Sequence, residues 1–118
     1  MGDAAIIILA GTESQADTGR LVNGLEAARE FAETAGDDLA LIFDGAGTQW
    51  IEELEDEGHQ YHDLYRAVRD EVAVCDYCAG TFGADEAVDD AGIVRLDENE
   101  GHPSVRSLVD DGYEVLTF

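Results

Sequence analysis

Two cysteines, Cys75 and Cys78, form a single C-x-x-C in the chain. That spacing lets one thiol support or resolve the other, and a cysteine at a helix start has its thiolate favoured by the helix dipole. Cys75 follows the apolar run Val72-Ala73-Val74 and precedes the segment from Asp76 to Gly83. It is therefore expected at the carboxyl end of a strand, where open α/β sheets collect reactive groups. Cys75 is the expected nucleophile, and Cys78, one helical turn further on, the supporting or resolving thiol. Asp76 and the surrounding acidic field are expected to push the thiol pKa upward. A free cysteine is also an ordinary small apolar residue, so a purely structural role for both thiols stays open. With no other cysteine to pair with, the fold has no disulfide framework.

The alternative chemistry is metal binding. His59 and His62 form an H-x-x-H that lies 12 residues before the C-x-x-C. Two histidines and two thiolates are a set that zinc accepts, although the order is reversed from the familiar finger. Histidines at a helix entry are more often solvated or capping groups, and the main reading carries no metal and no cofactor. His102 precedes Pro103 and is expected to cap a helix. The Gly45-Ala46-Gly47-Thr48 loop lacks both the Walker lysine and the full G-x-G-x-x-G, so it starts a helix rather than holding phosphate. Trp50 beside it reads as core or subunit contact. The acid pairs Glu52/Glu53 and Asp89/Asp90 read as solvated helix faces rather than acid and base.

The elements that must hold these residues alternate. Residues 4–9 and 39–43 are continuous apolar runs without polar alternation, the pattern of strands covered on both faces in a parallel sheet. Further strands are expected at 72–74, 93–96 and 113–118. Between the first two, Leu21, Leu25, Ala28 and Ala32 recur at helical spacing, with Asp17 or Thr18 as cap and Gly36 as stop. Other helices are expected around Trp50, Ile51 and Leu54, over residues 61–70, and over 85–91. A last helix should start at Pro103 with Val105, Leu108 and Val109 inward and Gly112 closing it. Five strands alternating with helices imply one three-layer α/β/α domain, residues 1–118, with a parallel sheet and right-handed crossovers.

The charge is extreme: 28 acidic residues stand against six basic ones, all arginine, for a net charge of −22, while 45% of residues are hydrophobic. That hydrophobic share excludes disorder by low hydrophobicity, so the acids belong on the surface of a folded domain. They are dispersed rather than blocked, as expected of a halophilic protein working in molar salt, where the Debye length falls to roughly 3 Å. Nucleic acid is not an expected partner, because phosphate binding needs clustered Lys and Arg. No stretch is long and apolar enough to span a membrane, and the first residues lack a basic n-region, so a cytoplasmic location is expected.

The order of elements, the strand ending Leu41-Ile42-Phe43-Asp44-Gly45-Ala46-Gly47, the Val74-Cys75-Asp76-Tyr77-Cys78 segment with Gly83 beyond it, and the closing Tyr113-Glu114-Val115-Leu116-Thr117-Phe118 together resemble the DsrE/DsrF/TusD-like family of small sulfur-relay proteins. The resemblance spans essentially the whole chain. It implies strand order 4-3-2-1-5 and a homo-oligomer, trimer or hexamer. It also implies a persulfide-carrying thiol at Cys75, with Cys78 matching a cysteine found in some relatives, and protein partners that donate and accept sulfur. The family often has arginine before the loop glycine, where this chain has Phe82 before Gly83. A persulfide relay needs a thiolate, a shielding pocket and a docking partner, and no metal or nucleotide. A non-catalytic oligomeric module is the remaining alternative.

Overall fold

The computed structural model describes residues 2–118. Five strands, β1 (Asp3–Ile8), β2 (Asp38–Phe43), β3 (Val72–Cys75), β4 (Val94–Leu96) and β5 (Glu114–Thr117), form one parallel sheet in the order β4-β3-β2-β1-β5. The helices between them are α1 (Gln15–Ala32), α2 (Trp50–Glu55), α3 (His62–Arg66), α4 (Asp76–Thr81), α5 (Asp85–Ala91) and α6 (Val105–Asp110).

This order decides which face each helix covers. The chain steps from β1 to β4 in one direction, so right-handed crossovers put the intervening helices on one face. The main core there joins Ala4, Ile6, Ile8, Leu41, Phe43 and Val74 of the sheet to buried residues of α1 through α5. Phe43 and Tyr65 meet edge to face with ring centroids 6.4 Å apart. The return from β4 to β5 crosses the sheet the other way and leaves α6 on the second face, beside Ala40, Ile42 and Ala73. Because side chains alternate along a strand, Val72 and Val74 enter the main core while Ala73 and Cys75 turn to the second face.

Several local expectations are corrected. Ser14, not Asp17 or Thr18, caps α1, its hydroxyl accepting the Asp17 N–H. The helix expected over 61–70 is the short α3 followed by a 3-10 turn, Arg69–Glu71, with Tyr65 and Val68 still buried. Helix α6 starts after Ser104, whose hydroxyl accepts the Ser107 N–H, so Pro103 precedes the cap and His102 is not a cap. That start turns Leu108 toward the sheet, and Val105 and Val109, expected inward, are 45% and 58% exposed. Trp50 is core, its indole N–H donating to the Ala10 carbonyl at 2.9 Å. Among the described residues no helix is long and apolar enough to cross a membrane.

Candidate functional site

Cys75 ends β3 and is the N-cap residue of α4, so the segment after it is helical from its first residue. Its sulfur accepts the Cys78 N–H at 3.4 Å, taking the place of a capping oxygen. The side chain is fully buried, while Cys78 is half-buried. The expected nucleophile, Cys75, is thus the deeper of the two thiols, and the thiol nearer the surface is Cys78. The cause is the alternation that turns Cys75 under the loop leading from β4 to α6.

That loop supplies the residue which sequence reasoning assigned elsewhere. His102 Nδ1 lies 3.3 Å from Cys75 Sγ, and the Gly101 carbonyl is 3.8 Å from the same sulfur. A tight turn holds it there: Asn99 and His102 pair through both backbone groups, at 2.8 and 3.0 Å. Glu100 and Gly101, the central residues, have φ of 50° and 92°, a left-handed pair that favours glycine. The Tyr77 N–H donates to the Gly101 carbonyl at 2.8 Å, and the Tyr77 and His102 rings meet at a 43° tilt with centroids 4.8 Å apart, tying the turn to α4.

Burial pushes the Cys75 thiol up to about 12, against the pull of the Cys78 N–H, with the Cys78 side chain and the Asp44 carboxylate adding to the rise. The upward direction is the expected one, and the acidic side chain that adds to it is Asp44, after β2. Asp76 is occupied by Arg95, whose guanidinium also reaches Asp85 and Asp89 at 3.0 and 2.9 Å and so fixes α4 and α5 to β4.

The sulfurs of Cys75 and Cys78 and a ring nitrogen of His102 lie within 4.8 Å of one another. His59 and His62, the expected histidine partners, take no part in this cluster. His59 Nδ1 accepts the Tyr61 N–H at 3.0 Å and its ring meets Trp50, while His62 Nδ1 bonds the Leu54 carbonyl at 2.7 Å. Both serve the turn between α2 and α3. The only advance signal for His102 was its position in the loop leaving the carboxyl end of β4, the same sheet edge as Cys75.

Comparison with known proteins agrees with this architecture. A solved structure, a conserved protein of unknown function from Bacteroides thetaiotaomicron, superposes with a TM-score of 0.59 over 97% of this chain and 94% of its own; at 14% identity the likeness concerns the fold alone. An uncharacterized protein of Methanocaldococcus jannaschii is 31% identical over 83 residues, 69% of this chain and 66% of that relative's length. The model of the DsrE/DsrF-like family matches residues 5–118, which covers the sheet, the C-x-x-C and the His102 turn together, and the chain belongs to that family.

Proposed function

We propose that the protein is a sulfur-relay carrier in which Cys78 receives sulfane sulfur from a donor and Cys75 stores it as a buried persulfide. The observation that carries this reading is the contact of Cys75 Sγ with both the Cys78 N–H and His102 Nδ1. Membership of a sulfur-relay type of family supports it. In the first step the Cys78 thiolate attacks the terminal sulfur of a donor persulfide. A new S–S bond forms on Cys78, the donor's S–S bond breaks, and the donor leaves as a thiolate. In the second, His102 accepts the Cys75 proton and the Cys75 thiolate takes the terminal sulfur from Cys78. Cys78 departs as thiolate and recovers the proton from His102. Burial, which opposes the Cys75 thiolate at rest, shields the stored sulfur from water.

Donor and acceptor proteins, and an assembly of like chains, belong to the same reading. The exposed Val105 and Val109 of α6 support contact between copies. The test is incubation with a small persulfide donor, followed by mapping of added sulfur by mass spectrometry in the wild type, Cys75→Ser and Cys78→Ser. The reading requires sulfur at Cys75 in the wild type, sulfur halted at Cys78 in Cys75→Ser, and loading of Cys75 slowed at least about tenfold in Cys78→Ser. Equal loading of Cys75 without Cys78 removes the handover, and no sulfur on either residue removes the relay in favour of a non-catalytic module.

A further inference from the structure

We propose that Cys75, Cys78 and His102 also form a three-ligand site for a thiophilic divalent cation, Zn²⁺, and that metal and sulfur compete for the same two thiols. The inference shares its side chains with the relay reading but stands on a separate property, the mutual distances of three donor atoms. A tetrahedral zinc with bonds of about 2.3 Å to sulfur and 2.0 Å to nitrogen spaces its donors roughly 3.4–3.8 Å apart. In the protein the Cys75 sulfur and His102 Nδ1 are 3.3 Å apart, and all three donors lie within 4.8 Å, so small side-chain rotations close the set.

The donors are of the right kind. Two thiolates and an imidazole suit Zn²⁺ and exclude the oxygen-seeking cations that an acidic surface would otherwise gather. Three protein ligands leave the fourth position to a small ligand, the open arrangement of a reactive rather than a structural zinc. The site is also held from several sides. The helix start fixes Cys75 relative to Cys78, and the Asn99–His102 turn fixes the histidine.

Binding is balanced by proton release: Zn²⁺ replaces the protons of both thiols, His102 enters neutral, and two protons leave to solvent. Both sulfurs are then metal-bound thiolates with no free lone proton-accepting partner in His102, so neither completes the sulfur handover. Metal loading therefore holds the carrier empty until the ion is removed.

The experiment is titration of the reduced full chain in molar KCl with Co²⁺ as spectroscopic probe, then displacement by Zn²⁺. The expected result is one ion per chain, thiolate-to-cobalt charge transfer in the near ultraviolet and the intense visible bands of tetrahedral cobalt, all abolished by Zn²⁺. Cys75→Ser, Cys78→Ser and His102→Ala should each weaken binding at least about tenfold, while His59→Ala and His62→Ala leave it unchanged. Absence of the charge-transfer band in the wild type overturns the inference without reference to any variant, and so does a band that depends on His59 or His62. Sulfur loading is scored separately with and without equimolar Zn²⁺. Loading in metal-free protein that Zn²⁺ does not slow ends the competition, and a cobalt spectrum in a protein that never takes up sulfur ends the relay and the competition with it while the metal site stands.

Discussion

Cys75 Sγ and His102 Nδ1 stand 3.3 Å apart although 27 positions separate them in the chain. The end of β3 brings one and the Asn99–His102 turn beyond β4 brings the other. Parallel register makes this possible, because Cys75 pairs with Leu96 and the turn begins within a few residues of that pair. In the proposed handover the imidazole takes the Cys75 proton, a contribution that is worth about 10²-fold or more in rate. His102→Ala should therefore slow the movement of sulfur from Cys78 to Cys75 by at least that factor and leave the first load on Cys78 intact. A quenched time course mapped by mass spectrometry checks it; unchanged transfer would reduce His102 to a packing role.

The strands were legible because both faces of a parallel sheet are covered, so residues 4–9 and 39–43 read as unbroken apolar runs. The place of Cys75 at a strand end followed from the same logic. What local pattern could not give was depth. Cys75 falls at a position whose alternation sends it under a loop 26 residues away, and no local signal reports that loop's closure. The same limit hid the start of α6, where Ser104 as cap competes with Pro103 at a first helical position and sets the phase of Val105 and Val109. Gly47 shows the reverse case. A phosphate-loop glycine and a close-approach glycine look alike in sequence, and here a Cβ would collide with the Ile8 carbonyl, so the glycine is required by packing at the end of β1.

A pH-dependent contribution to stability resides in Glu55. Burial alone would raise its carboxyl, but hydrogen bonds from Arg69 at 2.6 Å and from the Tyr65 hydroxyl at 2.6 Å outweigh it and hold the pKa below the usual 4.5. A carboxylate with a depressed folded pKa contributes stability that is present above the unfolded value and lost as pH falls through the folded one. Glu55→Gln should cost about 1–2 kcal/mol at pH 7, and the difference from wild type should shrink below about pH 4. Urea midpoints measured across that range decide it; a constant difference at every pH would show that charge is not the cause.

Ionic strength should govern the whole fold. With a net charge of −22 and no lysine, repulsion among surface acids is relieved only by close screening. The thermal midpoint is expected to rise steeply from low salt to molar KCl. A midpoint that is flat over that interval would remove the halophilic reading of the composition.

The two thiols should differ in reactivity in the native protein, and in the order opposite to their order along the chain. Cys75 is fully buried and burial pushes its thiol up to about 12, which disfavours the reactive thiolate. Cys78 lies half-buried on the first turn of α4 and is the less covered of the two thiols. Limited treatment with iodoacetamide in molar KCl, followed by peptide mapping, should find Cys78 modified at least about tenfold faster. In urea at high concentration the two rates should converge, since burial is the cause of the difference. Replacing Gly101 by alanine tests the cover itself: its φ of 92° is strained for any other residue, so the turn should loosen and Cys75 should gain reactivity while Cys78 does not. Equal or faster modification of Cys75 in the native wild type would mean that the buried thiol meets the donor directly, and Cys78 would then return to the supporting role its place in the C-x-x-C first assigned.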